Sequence, residues 1–321
     1  MAPLIHRILL ATDGSAYAAR AEEYALFLAS AWEAGLDMLS VLEFPPGMNP
    51  EYPINDAYLG QLRKEADRHL ERLADRASQV GLSVKKQVVI GIPSQKITAI
   101  ARDNGDDLVV VGTHGRTGLE HVLLGSTAER VIRGAPCPVL AVRGRKPGSA
   151  QVPDHSSPIA VRRMLVPIDF SDCSLDALEY AVQVAKHVNA AITILHVMEP
   201  VAYGLDFTLS HPSELEAKRA RPRRSASGTW SRRTAGWGLQ ADEALRGGLP
   251  ADSILDYARS RAVDLIVMGT HGRRGISHLV NGSVTEAVAA AGGLPGLDSA
   301  ESEIRPGSST GRAENRVGSE G

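Results

Sequence analysis

LVVVGTHGRTGLEHVLLGST, residues 108–127, carries an apolar run, a glycine-rich turn and a helix start in succession. Leu108 to Val111 run straight into Gly112, and a short apolar run that stops at a glycine reads as a buried strand delivering its chain to a turn. Gly112-Thr-His-Gly115 is followed by nine residues and then by Gly125-Ser126. Glycines in such a turn let backbone N–H groups approach phosphate oxygens and supply the dihedrals that an anion-binding concavity needs. Ser126 and Glu129 have the spacing of a capping box. A helix is therefore expected to start there, with the positive end of its dipole turned towards the same place. The stretch returns as LIVMGTHGRRGISHLVNGSV, residues 265–284, with Gly269, Gly272, Gly282, Ser283 and Val284 in the places of Gly112, Gly115, Gly125, Ser126 and Thr127. One such turn alone could be purely structural, but two with the same long spacing favour a ligand. The pattern is neither GxxxxGK[ST] nor GxGxxG, which argues against a P-loop hydrolase and a standard dinucleotide site.

Working outward, Asp13 is matched by Asp169, Val41 by Val197 and Gly91-Ile-Pro93 by Gly248-Leu-Pro250, at offsets of 156, 156 and 157 residues. A one-residue difference over such a span indicates duplication of a whole domain, because loops accept insertions and paired strands do not. In copy one, apolar runs at Ile8 to Thr12, Met38 to Leu42, Val84 to Ile90, Leu108 to Val111 and Val139 to Val142 alternate with helical stretches. That alternation predicts a parallel sheet, and the near-continuous apolarity of the runs predicts helices on both faces. Leu59, Leu62, Ala66, Leu70, Leu73 and Ala77 form one helical stripe, which Gly81 should terminate. The expected architecture is α/β: two tandem open parallel-sheet domains with helices on both faces, the second copy incomplete. The expected boundaries are residues 1–146 for copy one, 147–160 for a Pro- and Ser-bearing linker, and 161–291 for copy two.

The spacing Gly-x-x-Gly-x9-Gly-Ser after a strand, with an aspartate closing the first strand, resembles the ATP-binding type of the universal stress protein family. The resemblance covers most of residues 4–143 and, with gaps, 162–290. It implies that the two are nucleotide-binding domains, in which the strand-end aspartate and neighbouring backbone hold adenosine while the glycine loop holds phosphates. Carried over, Asp13 with the backbone of Ala11 and Val41, and Asp169 with that of Pro167 and Val197, are the adenosine candidates. The phosphate candidates are Gly112, Gly115, Gly125, Ser126 and Thr127, then Gly269, Gly272, Gly282, Ser283 and Val284. The implied cofactor is ATP, with magnesium as its companion ion. The resemblance also implies a cytoplasmic stress-response regulator, with the two copies pairing within the chain or the chain forming a homodimer. Read alone, Asp13 would be an ordinary helix N-cap; His114 and His271 read as loop residues rather than metal ligands, and Arg116, Arg273 and Arg274 as phosphate contacts or plain surface.

Composition sets the remaining bounds. The 321 residues carry 35 basic and 37 acidic side chains, a net charge of -2, which offers no global field for nucleic acid. No apolar run approaches the roughly 20 residues of a membrane span, and the N-terminus has no signal-peptide pattern. Cys137 and Cys173 lack disulfide or zinc spacing, and Cys137 reads as core filler. No constellation nominates a catalytic base, so any ATP hydrolysis is expected to be weak. A slow ATPase or nucleotidyl-transfer enzyme and a nucleotide-free interaction protein are the alternatives.

The repeat breaks twice. Residues 219–238 lose the apolar stripe, and Lys218 to Arg233 holds seven basic residues and no acidic one. An RNA-binding patch with Trp230 as a stacking platform was weighed against local sequence replacement, such as a reading-frame change, and the latter is preferred because register returns by Leu239. After Ala289 no counterpart of Pro136 to Val142 arrives, and residues 292–321 have the composition of a disordered tail.

Overall fold

The computed structural model describes residues 4–43, 53–113, 124–144, 159–199, 241–270 and 283–291. Copy one runs β1 (Arg7–Ala11), α1 (Ala19–Trp32), β2 (Gly35–Leu42), α2 (Pro53–Gln79), β3 (Val84–Ile90), α3 (Pro93–Asn104), β4 (Leu108–Gly112), α4 (Ser126–Gly134) and β5 (Val139–Val142). Copy two runs β6 (Arg163–Ile168), α5 (Asp172–Val188), β7 (Ala191–Met198), β8 (Ala241–Gly247), α6 (Pro250–Ser260), β9 (Leu265–Ile266) and α7 (Ser283–Ala291). The expected irregular segment 219–238 and the tail 292–321 lie outside the described residues.

All strand pairings are parallel, in the orders β3-β2-β1-β4-β5 and β8-β7-β6-β9. Each chain therefore starts in the middle of its sheet, steps outward through two strands, and returns to the other side of its first strand. That return is possible because helices cross over the faces and bury them. On one face Leu9, Leu39, Val109 and Val111 meet Ile97, Ala101, Ala128 and Val131. On the other, Ile8, Leu10, Met38 and Val110 meet Ala25, Leu28, Leu70 and Leu73. The α2 stripe behaves as its spacing predicts, with Ala66, Leu70, Leu73 and Ala77 buried, and Gly81 follows the helix at φ +77°.

Repetition extends to atomic detail. Asp107 Oδ2 accepts from the backbone N–H of His6 and Arg7 at 2.7 and 3.0 Å, and Asp264 Oδ2 accepts from Arg162 and Arg163 at 2.8 Å each. Side chains of the two copies also meet. The buried Trp32 ring stacks on His187 with centroids 5.6 Å apart, and His187 Nε2 donates to the Ala31 carbonyl at 2.8 Å. Burial pushes the equivalent phenols Tyr24 and Tyr180 up, and each also feels an aspartate of the opposite copy, Asp264 and Asp107. The same positions are thus used in both directions, as a two-fold relation requires. Cys137 is half-buried in copy one, and burial pushes its thiol up to about 11, consistent with core filler rather than a reactive thiol.

Two stability predictions follow from these contacts. Trp32→Ala should cost the full-length chain about 3–5 kcal/mol in denaturant unfolding, the usual range for a buried tryptophan; a loss below about 1 kcal/mol would contradict its place between the copies. At the opposite end of the sheet from the turns, burial first and Asp37 second push Asp106 from 3.8 up to about 6, against the pull of Arg7. A folded-state value above the unfolded one means the folded chain binds the proton more tightly, so stability falls as pH rises through that interval. Asp106→Asn should therefore raise the melting temperature relative to wild type at about pH 7.5 by more than at about pH 4. Equal effects at both pH values would contradict the assignment.

Candidate functional site

Strand order reverses between β1 and β4, and ligands of open α/β sheets bind in the crevice outside the carboxyl ends at such a reversal. Asp13 follows β1, Gly112 ends β4, and Val41 lies near the end of the neighbouring β2. Ala11 is buried in β1, while Asp13 and Val41 are half-buried. The base of the glycine loop is closed by Thr113, whose N–H donates to the Val142 carbonyl at 2.9 Å and whose carbonyl accepts from Gly125 N–H at 2.8 Å. Gly125 and Ser126, 13 and 14 residues beyond Gly112, are thereby held beside the end of β4. Gly115 lies outside the described residues, as do His114 and Arg116.

The start of α4 corrects the expected capping box. Gly125 is the N-cap, Ser126 is the first helical residue and exposed, and no side chain among the described residues caps the helix. Glu129 turns instead to Arg133 at 2.8 Å, an i,i+4 pair, and Arg133 reaches Glu286 of copy two at the same distance. Register explains the difference: with Gly125 as the N-cap, Ser126 and Glu129 occupy the first and fourth helical positions, one residue past those that a capping box uses. Thr127 is half-buried on the next position.

Asp13 is not the N-cap of α1 either, since that place is taken by Ala18. Asp13 Oδ1 accepts from Ser15 N–H at 3.0 Å, forming an Asx turn, with Gly14 at φ +70°. Beneath the turn lies a relay that sequence reasoning did not find. Gly14 N–H donates to Thr12 Oγ1 at 3.1 Å, Thr12 Oγ1 donates to Glu22 Oε1 at 2.6 Å, and His69 Nε2 stands 2.7 Å from the same oxygen. Glu22 is 3% exposed. A carboxyl group so deep in the protein is satisfied by its hydrogen bonds to both neighbours. The relay ties β1, α1 and α2 together directly under Asp13. Beside it opens a cleft of about 180 Å³ lined by Asp13, Gly14, Ser40, Glu65, His69 and Arg72.

In copy two, Pro167 is buried in β6, Val197 lies in β7, Asp169 follows β6 and Gly269 follows β9. Asp169 Oδ1 accepts from Ser171 N–H at 3.0 Å and from Ser171 Oγ at 2.6 Å. Thr285 Oγ1 donates to the Gly269 carbonyl at 2.7 Å, which holds the start of α7, including Ser283 and Val284, near the end of β9. Gly272 and Gly282 lie outside the described residues, with His271, Arg273 and Arg274. Thr12 and Glu22 are replaced together by the buried Ile168 and Leu178.

The parallel sheet with an aspartate-bearing turn after its first strand, beside the strand-order reversal, defines an α/β module present twice. A model of the universal stress protein family matches residues 5–143 and again 160–293, and the chain belongs to that family. It is similar to the universal stress protein MJ0531 of Methanocaldococcus jannaschii, 33% identical over 144 residues, 44% of this chain and 85% of that protein. It is also similar to the universal stress protein Rv2005c of Mycobacterium tuberculosis, 29% identical over 67% of this chain and 68% of that one. Among solved structures, a universal stress protein from Archaeoglobus fulgidus shares the fold with a TM-score of 0.64, 21% identity, and 90% and 93% of the two chains covered. No helix among the described residues is long and apolar enough to cross a membrane.

The relay can be tested through stability. Glu22→Leu alone leaves the Thr12 hydroxyl without its acceptor and should cost about 1–3 kcal/mol, whereas Thr12→Ile/Glu22→Leu, the pair copy two carries, should recover most of that loss. A double variant as unstable as the sum of its single variants, read by urea denaturation, would contradict the coupling.

Proposed function

We propose that the chain is a regulator that binds an adenine nucleotide, ATP with magnesium, at the strand reversal of copy one. One observation carries the reading: the Asp13 turn and the Gly112–Gly125 loop base stand on the two adjacent strands where the sheet changes direction. Asp13 and the backbone at Ala11 and Val41 would face the adenosine. Gly112, Gly115, Gly125, Ser126 and Thr127 would face the phosphates, and a helix start without a side-chain cap leaves its N–H groups to an anion. Magnesium bound with a nucleotide is held largely by phosphates and water, so the reading asks for no protein cage. ATP supplies the negative charge that such a helix start favours, and the residues named do no more than bind and orient it.

The working division is 1–146 for copy one, 147–160 for the linker and 161–291 for copy two. The contacts of Trp32 with His187 and of Arg133 with Glu286 favour pairing of the two copies within one chain over a homodimer. Occupancy of copy one would then reach copy two through α4, whose Arg133 holds Glu286. Such a regulator would act in the cytoplasm. Gly115→Val should obstruct backbone approach to phosphate and weaken ATP binding by about tenfold or more in calorimetric titration, equivalent to ~1.4 kcal/mol. Unchanged affinity would overturn the assignment of the loop.

A further inference from the structure

The turns after the first strand of each copy have the same backbone. Gly14 sits at φ +70° and Phe170, its equivalent, at φ +65°; each follows an aspartate that accepts from the N–H two residues on at 3.0 Å. A positive φ suits glycine and is uncommon for phenylalanine. In copy one the missing side chain matters for space as well. A Cβ on Gly14 would stand 3.2 to 3.4 Å from the His69 ring, across the cleft that Asp13 lines. In copy two the equivalents of Gly14 and Ser40 are Phe170 and His196, whose rings lie 4.7 Å apart. His196 Nδ1 donates to the Ile168 carbonyl at 2.8 Å, which fixes the imidazole against the end of β6. Two rings in contact thus stand at the positions that glycine and serine hold in copy one.

The other side of the reversal has changed too. β4 pairs with β1 at four positions up to Val111, but β9 pairs with β6 only at Leu265 and Ile266. Past that point Gly269 lies against Cys173, so closely that a Cβ would be 2.7 to 2.9 Å from its Sγ, carbonyl oxygen and carbonyl carbon. Cys173 is the equivalent of Tyr17, and in copy one the backbone packed on Tyr17 is that of Gly144, beyond β5. The stem of the second glycine loop has moved into the place that, in copy one, belongs to the chain leaving the last strand.

We infer that the chain has a single ligand site: copy two is closed by Phe170, His196 and the displaced stem at Gly269, and serves copy one as a fixed packing partner. Asp169, Pro167, Val197, Gly269 and the loop that follows then keep the family pattern without a ligand. The replacement of the Thr12–Glu22 pair by Ile168–Leu178 fits the same division, since a copy that takes no polar ligand has no need of a polar turn support.

This inference rests on the nucleotide reading of copy one, and binding stoichiometry separates the two. Equilibrium dialysis of the full-length protein against radiolabelled Mg-ATP should give one nucleotide per chain at saturation. Asp13→Ala should remove the saturable binding, and Asp169→Ala should leave both stoichiometry and affinity unchanged. Two nucleotides per wild-type chain, or a single site lost with Asp169→Ala or retained with Asp13→Ala, would overturn the inference while nucleotide binding stands. No binding by the wild type would overturn the nucleotide reading and this inference with it.

Discussion

The parallel pairing of β1 with both β2 and β4 is the constraint on which the rest depends. Ala11 is in register with Leu39 on one side and Val111 on the other, so three strands deliver their carboxyl ends to one rim. A central parallel strand needs both faces covered, and the crossover helices α1, α2, α3 and α4 cover them. The reversal of direction between β1 and β4 then leaves a crevice outside the carboxyl ends of the strands, because successive crossovers diverge there. Site and fold have one cause.

Duplication put the same constraint into the chain twice, and the two copies have met its consequences differently. Copy one holds its turn with a buried polar relay and leaves glycine and serine at the rim. Copy two replaces relay members with apolar ones and closes the rim with aromatic rings. A buried polar cluster contributes to uniqueness only when every member is satisfied, and exchanging both partners for apolar groups is the cheap route, whereas exchanging one is not. Thr12 with Glu22 against Ile168 with Leu178 follows that rule.

Copy one was legible because its strands are short continuous apolar runs and α2 has an unambiguous stripe; Ala66, Leu70, Leu73 and Ala77 are buried as their spacing requires. The two ends of the glycine loop were legible because the motif recurs: Gly112 closes β4 and Gly125 precedes α4. The relay was not, since Glu22 and His69 are 47 residues apart and neither breaks the helical pattern of its own element. A signal for the closing of copy two did exist in the sequence: aligning the repeats at offset 156 puts Phe170 on Gly14 and His196 on Ser40, both side-chain changes at the rim. The capping box failed for a local reason. Spacing identifies a helix start but not its exact first residue, and with Gly125 as the N-cap the Ser126–Glu129 pair falls one position too late.

A protein of this family with one open and one closed copy would read a single ligand and pass its occupancy through α4 to a partner domain built on the same plan. Everything in this division of labour turns on whether copy one holds an adenine nucleotide. Native mass spectrometry of gently purified full-length protein tests it most directly. The account predicts one adenine nucleotide per chain, retained from the source or taken up on incubation with Mg-ATP. A chain that carries none, and takes up none, would contradict it.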